Sequence, residues 1–327
     1  MKKYFVYELK KSLFVMCILA VLTAAIYEVS ILTSAEDILE WGSRRMPTDS
    51  IVAIGGALSV IIPIWKLEYL MKKRSVDLYY SLPLSHTCIL AVKFSVGLIV
   101  LFSSFTVAYW VGSFTAMATF GALLNNVNFV LMYFAMLIPM AVIYSMTSFI
   151  FTRANRFVDG IAFVIMTGMS LGTVVEVISQ FMGVYRVTLF FTPFGAMSLI
   201  SWYFLGNFFK NISSAVDVSF MQWVGMITVA LLGIAAAIGL FFSERVAKAE
   251  NCEQLSESYF GYKTMIPLYT FSLALLGTLN SYLLTVLVAG AAYAVSTLYK
   301  RTAKIGWKFG VKVGIAFIVG VGFSFMI

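Results

Sequence analysis

The 327-residue sequence contains few charged residues and only one histidine and three cysteines. Charged residues make up 12 % of the chain, about half the share found in soluble domains. Hydrophobic residues make up 61 %, and the mean hydropathy is +0.93. This composition excludes an ordinary soluble protein and leaves no segment polar enough for a separate soluble domain. It indicates an integral membrane protein.

The scarcity of cysteine and histidine excludes several kinds of site. Cys17, Cys88 and Cys252 are odd in number, widely spaced and without a CxxC pair, so neither a disulfide framework nor a zinc site is indicated. The single histidine, His86, cannot supply the ligand set of an intramembrane metal hydrolase. We therefore expect no metal site and no catalytic residue in this chain.

Apolar runs near the length that crosses a bilayer recur along the whole chain. Residues 264–298 are too many for one crossing, and the sequence GTLNSY at 277–282 predicts a turn, so we divide this stretch into a hairpin. The predicted fold is all-α: a polytopic transmembrane helical bundle with a six-span core and about three C-terminal spans. The six core spans are residues 12–33, 51–65, 89–118, 127–151, 161–180 and 220–242, and the last span is residues 305–327.

The basic residues orient these spans. Of the 23 Lys and Arg residues, 19 fall in segments predicted to be cytoplasmic, and only Arg44, Arg45, Arg186 and Lys210 fall outside. The distribution predicts a cytoplasmic N-terminus and an outer C-terminus. The first apolar run is longer than that of a signal peptide, so we expect it to be retained as a span. Insertion into the membrane explains the net charge of +8, and no nucleic-acid partner is expected.

The loop between the second and third spans, KKRSVDLYYSLPLSHTCIL, mixes charges with large apolar residues. Helical spacing from Lys66 onward predicts an amphipathic helix at the membrane surface. Pro83 is expected to end or kink it, and Ser85 or Thr87 to cap the third span. An interfacial anchor is the simplest interpretation of the pattern alone. The predicted apolar face consists of Leu67, Leu70, Met71, Leu78 and Leu82.

The segment DLYYSLPLS, residues 77–85, followed by an apolar run with Lys93 near the start of the third span, resembles the permeases of type-2 ATP-binding cassette transporters. It looks most like their short Gram-positive members. The layout is similar too, with a surface helix between spans two and three and a long outer connection between spans five and six. The resemblance implies a six-span permease core over residues 1–245, a coupling helix at about 66–86, and a C-terminal extension over 246–327.

The resemblance also implies a function. This chain would be the transmembrane subunit of an ATP-driven transporter in a bacterial cell membrane, exporting or extruding an amphipathic compound or a peptide. It would not be an enzyme, because no GxxxxGK[ST] phosphate loop occurs, and ATP and magnesium would bind a partner ATPase. A second permease chain, identical or related, is a further implied partner. The residues implied to contact the ATPase are Leu78, Tyr79, Tyr80, Ser81, Leu82, Pro83 and Leu84.

Two carboxylates fall inside predicted spans, Glu28 and Glu176, where an unpaired charge at the centre costs about 2.5–3.5 kcal/mol. Both lie outward of the span midpoint, so they either line a pathway for a cationic or amphipathic substrate or reach the interface. The outer connection over residues 181–219 is rich in aromatic residues, which form either an interfacial belt or a helix that closes an outer gate. The gate candidates are Phe194, Trp202 and Tyr203.

Alternative functions stay open at this point. A secondary transporter would also be polytopic with basic cytoplasmic loops, and a sensory or immunity subunit could share the whole architecture. Small residues indicate where helices approach closely. They are Gly55, Gly56 and Ala57, the GxxxG pair Gly168 and Gly172, and Gly314, Gly320 and Gly322.

Overall fold

The structure is a computed structural model that describes residues 2–34, 48–120, 126–182, 192–205, 220–244, 261–275, 282–287, 290 and 307–324. Within these residues every regular element is a helix, so the predicted all-α class is confirmed. The helices are α1 (Lys2–Thr33), α2 (Thr48–Leu67), α3 (Lys73–Tyr80), α4 (His86–Phe120), α5 (Asn126–Phe151), α6 (Phe157–Met182), α7 (Pro193–Leu205), α8 (Phe220–Glu244), α9 (Tyr262–Leu275) and α10 (Trp307–Ser324). A 3₁₀ turn, Glu68–Met71, follows α2, and residues 282–287 are also helical.

In the described part of the chain, six helices are long and apolar enough to cross a membrane: α1, α2 with its 3₁₀ turn, α4, α5, α6 and α8. They coincide with the six predicted core spans, which confirms a multi-pass membrane protein. The first helix, however, begins ten residues before the predicted span. One reason is that Tyr4 and Glu8 are at i, i+4 spacing and their side chains form a hydrogen bond along the helix, which supports the charged segment as a continuation of it.

The C-terminal region is described only in part. Helix α9 ends at Leu275, just before the predicted turn, of which residues 277–281 lie outside the described residues. The apolar parts of α9 and α10 are shorter than the six long helices. The number of C-terminal spans therefore stays a prediction.

The chain divides into two compact units. The first contains residues 1–67, 79–148 and 193–246, and the second contains residues 68–78, 149–192 and 247–327. In the first unit α1 packs along α4, α2 packs against α4 and α7, and α8 contacts both α4 and α7. In the second unit α9 packs against α6 and α10. The predicted domain boundary near residue 245 stays a prediction.

Glycines permit the closest helix contacts in the first unit. A Cβ atom on Gly112 of α4 would collide with the ring of Tyr27, an α1 residue that is 2 % exposed. On α2, a Cβ atom on Gly56 would lie 2.5 Å from Cε1 of Phe194, and one on Gly55 would lie 2.9 Å from Cε of Met197. The predicted close approach at Gly55 and Gly56 is therefore confirmed, and the partner is α7.

The other predicted small-residue positions behave differently. In the part of the chain that the structure describes, nothing lies within 4 Å of a Cβ built on Gly168, Gly172, Gly314 or Gly322. Gly320 alone of these packs closely, because its Cβ would lie 2.6 Å from that of Ala274 on α9. The spacing of the glycines in the sequence places them on one face of a helix. It does not show which other helix, if any, packs against that face.

Candidate functional site

The loop between α2 and α4 is ordered, but it is not the single amphipathic helix that the spacing predicted. Helix α2 gives way to the 3₁₀ turn, and α3 begins only at Lys73. The tighter 3₁₀ geometry shifts the angular position of every later side chain, so the predicted apolar face is not continuous. Leu67 and Met71 are buried, whereas Leu78 is 66 % exposed. The prediction of one apolar face across these residues was wrong.

The end of the loop follows the prediction more closely. Helix α3 ends at Tyr80, and the Leu84 amide donates to the Leu82 carbonyl at 2.7 Å, which makes a γ-turn centred on Pro83. The Ile89 amide donates to the Ser85 carbonyl at 3.1 Å, so Ser85 is the N-cap residue of α4 as predicted. The Tyr80 and His86 rings stack across the turn with centroids 3.7 Å apart. This ring contact therefore joins the end of α3 to the start of α4 across the turn.

Tyr79 attaches the loop to helix α4. The Lys93 Nζ donates to the Tyr79 hydroxyl at 3.2 Å and lies 4.2 Å from the centroid of its ring. Lys93 is only 5 % exposed, so its ammonium group is held away from water. A cation over an aromatic face is stabilised by about 0.5–2 kcal/mol, with the larger value for desolvated pairs. Tyr79 thus covers a buried charge with its ring.

The same ammonium group contacts α1. Lys93 Nζ lies 3.3 Å from Oε1 of Glu8, a carboxylate that is 2 % exposed. The Tyr4 hydroxyl donates to this oxygen at 3.1 Å, and the Ser12 hydroxyl donates to the Glu8 main-chain carbonyl at 2.6 Å. The ion pair therefore lies between two polar residues of α1, Tyr4 and Ser12, each one turn from Glu8.

Helix α2 supplies the second cation. Lys66 is 6 % exposed, donates a hydrogen bond to the Ser12 hydroxyl, and lies 4.4 Å from the centroid of the Trp65 ring. Buried charges are expensive to desolvate and persist only where hydrogen bonds and opposite charge compensate them. Here that compensation joins α1, α2, α4 and the end of α3 at one point. We call Tyr4, Glu8, Ser12, Lys66, Tyr79 and Lys93 the charged cluster.

Sequence reasoning missed this cluster. Lys66 was a topology charge and the start of the predicted loop helix, Lys93 was a topology charge and part of the pattern that carries the resemblance, and Glu8 was not singled out. Two signals were present: Glu8 is the only acid among the first 20 residues, and Lys93 lies inside an apolar run. Neither signal identifies a partner, because the cluster joins residues that are far apart in the sequence. Ser12 and Lys66, for example, are 54 positions apart.

The implied ATPase-contact residues divide into two groups in the structure. Tyr79 and Tyr80 make ring contacts within the chain, with Lys93 and His86 respectively. In the second group, Leu78, Ser81 and Pro83 are exposed, and Leu82 and Leu84 are partly exposed. Contact with an ATPase stays a prediction for all seven residues, and the exposed ones offer more surface for it.

The pathway and gate candidates are described in part. Glu28 lies on α1 and is partly exposed, whereas the side chains of Glu176 and Trp202 lie outside the described part of the structure. Phe194 packs on Gly56 of α2. Helix α7 has 13 residues, about 20 Å, which is too short to cross a bilayer. Their roles in a pathway or a gate stay predictions.

A cavity of about 310 Å³ lies between α5, α7 and α8, and all its lining residues belong to the first unit. Tyr203, one of the gate candidates, lines it. The remaining lining side chains are apolar apart from the indole nitrogen of Trp223. They are Ala135, Ile138, Pro139, Val142, Ala196, Leu199, Ile200, Phe204, Trp223, Met226, Val229 and Ala230.

Comparison of the chain with family models, with curated protein sequences and with solved structures gave no match. The function therefore has to be inferred from the residues of the chain itself.

Proposed function

We propose that this chain is the membrane-spanning permease subunit of a type-2 ATP-binding cassette transporter in a bacterial cell membrane. The six long helices would form the permease core, followed by about three C-terminal spans. A separate ATPase would bind ATP and magnesium, and a second permease chain, identical or related, would complete the pathway. The expected cargo is an amphipathic compound or a peptide, moved outward.

The observation that carries the proposal is the attachment of the loop to two membrane-spanning helices. Tyr79 at the end of α3 holds Lys93 of α4, and Lys93 holds Glu8 of α1. A loop that passes a partner's movement to the membrane spans needs such an attachment, because a loop without one would move independently of them. An interfacial anchor needs no buried ion pair at its end.

Leu78 gives the loop a surface for a partner. It is an apolar side chain, 66 % exposed, on a segment that the charge distribution predicts to be cytoplasmic. Burial of a whole leucine side chain contributes about 1.5–3 kcal/mol, so covering the exposed part would contribute about 1–2 kcal/mol. That corresponds to about a tenfold change in affinity.

The distribution of buried charge favours this function over a secondary transporter. Secondary transporters place ionisable groups near the middle of the membrane. Among the described residues, the buried charged side chains lie in the first or last quarter of their helices: Glu8, Lys66, Lys93 and Asp159. A sensory or immunity subunit would show the same distribution of buried charge. Whether the complex transports a solute distinguishes such a subunit from an exporter.

The test is to purify the tagged chain from its own membranes in mild detergent and to identify the proteins that come with it. We expect a cassette ATPase at a fixed ratio, and we expect Leu78→Ala to weaken its binding about tenfold. Val158→Ala is the matched control, because Val158 is 74 % exposed in the first turn of α6 and its truncation should leave binding unchanged.

Two results would contradict the proposal. One is the absence of an ATPase from the wild-type preparation. The other is solute movement by the purified chain alone, in vesicles with an ion gradient and no ATPase, which is the behaviour of a secondary transporter. Transport that requires both the ATPase and ATP would separate an exporter from a sensory subunit.

A further inference from the structure

The cavity between α5, α7 and α8 narrows toward one end. A Cβ atom on Gly233 of α8 would lie 2.6 Å from Cγ2 of Val142, so α5 and α8 touch there. The innermost lining residues, Val142, Ala196 and Val229, form a buried apolar cluster, and we call them the floor. The structure thus closes this end with packed hydrocarbon.

The opposite end is open. Ile138, Tyr203 and Trp223 line the cavity and are 62 %, 37 % and 55 % exposed. We call these three residues the rim. Pro139 lies on the cavity wall and lacks the amide that would bond the carbonyl of Ala135, so the α5 hydrogen-bond ladder is interrupted beside the opening. The predicted topology puts this end of α5 and α8 in the outer half of the membrane.

The dimensions select a thin occupant. The lining residues of α8 run from Trp223 to Ala230, a rise of about 10 Å. The volume of about 310 Å³ is the space open to the centre of a water-sized sphere, so over that length, with the radius of the sphere added on each side, the passage is about 9 Å across. An α-helix of a second subunit is 10–12 Å in diameter and is wider than this passage. A single hydrocarbon chain, whose carbons pack at about 4 Å, fits.

The chemistry of the wall excludes water as a stable occupant. A buried water needs two to four polar partners, and the floor side chains are all hydrocarbon. Apolar cavities of about 150 Å³ stay dry and bind benzene, and this one is about twice as large. Among the lining residues that the structure describes, the polar side-chain atoms belong to the rim, in Tyr203 and Trp223. A ligand would therefore have an apolar body inside and a polar end at the opening.

We propose that this cavity binds the hydrocarbon tail of a membrane lipid, inserted from the rim to the floor with its head group outside. Bilayer lipid is the occupant because the cavity belongs to a bundle of membrane-crossing helices and opens beside an exposed apolar side chain, Ile138. Among the described residues no charged side chain lines the cavity, so they do not select the head group by charge. The site does not depend on an ATPase, and it goes beyond the transport function proposed above.

The test uses a phosphatidylcholine probe with a diazirine near the end of one tail, incorporated with the purified chain into phosphatidylcholine vesicles. After illumination, labelled peptides are sequenced by mass spectrometry. Lipid around the outside of the protein reaches the exposed rim but not the floor, where Val142, Ala196 and Val229 are 2–6 % exposed. We expect label on the floor residues.

A matched pair of variants tests whether the lipid tail reaches the floor through the cavity. Ala230→Phe puts a ring inside the cavity, and we expect floor labelling to fall about tenfold or more because an overpacked site rejects the tail. Ala235→Phe makes the same change at an exposed position of the same helix and should leave floor labelling unchanged. Elution as one symmetric peak in size-exclusion chromatography checks that both variants fold.

Label confined to exposed side chains such as Ile138 and Trp223 would overturn the proposal, because that is the pattern of surrounding lipid. Equal floor labelling in wild type and a folded Ala230→Phe variant would also overturn it. If Ala230→Phe does not fold, Ala230→Leu fills less of the space and should reduce the floor label by a smaller factor. Neither result bears on whether an ATPase binds the loop.

Discussion

The charged cluster makes a strong prediction for Glu8→Gln. The substitution keeps the size of the side chain but removes the carboxylate from beside two buried ammonium groups, those of Lys93 and Lys66. Gln can still accept a hydrogen bond from Tyr4, so the perturbation is mainly the loss of charge. We expect a large loss of stability from a change that removes no packing contact.

The magnitude follows from the geometry. Two unit charges 3.3 Å apart attract by about 5 kcal/mol at an effective dielectric constant of about 20. Removing one partner of a buried pair costs about 3–5 kcal/mol, because the other charge stays buried. We take the lower figure, since the Lys93 ammonium keeps its contacts with Tyr79. At about 2 °C per kcal/mol for a large chain, the melting temperature should fall by about 6 °C.

The assay is thermal unfolding of the purified chain in detergent, with Glu28→Gln as the matched control. Glu28 is on the same helix but is partly exposed, so its substitution should change the melting temperature little. Glu8→Gln combined with Lys93→Met removes both charges of the pair and should melt higher than Glu8→Gln alone. Equal melting temperatures for Glu8→Gln and Glu28→Gln would refute the electrostatic role given to the cluster.

Two further predictions concern the loop and the α2–α7 contact. Tyr79→Phe keeps the ring over Lys93 and loses one hydrogen bond, so it should lower stability by about 1 kcal/mol, whereas Tyr79→Ala loses both contacts and should lower it more. The order is checked by thermal unfolding, and an equal loss in both variants would count against the ring contact. Gly56→Leu should cost about 1–3 kcal/mol because its side chain meets Phe194, while Gly172→Leu has open space among the described residues and should be nearly neutral. If the two leucine variants unfold at the same temperature, the close contact with α7 is not needed for stability.

Hydropathy and helix signals were enough to predict the six long helices, because each depends on a local run of residues. Pro83 and Ser85 were correctly placed at the end of the loop for the same reason, since turn and cap preferences act over a few residues. The apolar face from Leu67 to Leu82 failed because a 3₁₀ turn resets the helical register, and nothing in the local spacing signals that change.

The site residues were harder to predict, because their importance comes from pairing across the fold. The sequence shows Glu8 and Lys93 as two charges near the ends of two spans, and only the packing of α1 along α4 brings them within 3.3 Å. Tyr79 was assigned to a partner through the resemblance to the transporter permeases. Its ring contact with Lys93 could not be read from a spacing of 14 residues across a turn.

Helix α2 contacts both the charged cluster and α7. Lys66, at the end of α2, belongs to the cluster. Gly56 lies about 15 Å away along the helix and packs against Phe194 of α7, which is one of the three helices that line the cavity. Substitutions this far apart with no shared partner add to within about 0.5 kcal/mol. If α2 moves as one rigid element, Glu8→Gln and Gly56→Leu both act on the position of α2. Their effects on the melting temperature should then not add. Additive effects would show that the cluster and the α7 contact are energetically independent, and a movement of the loop would then have no route through α2 to the cavity.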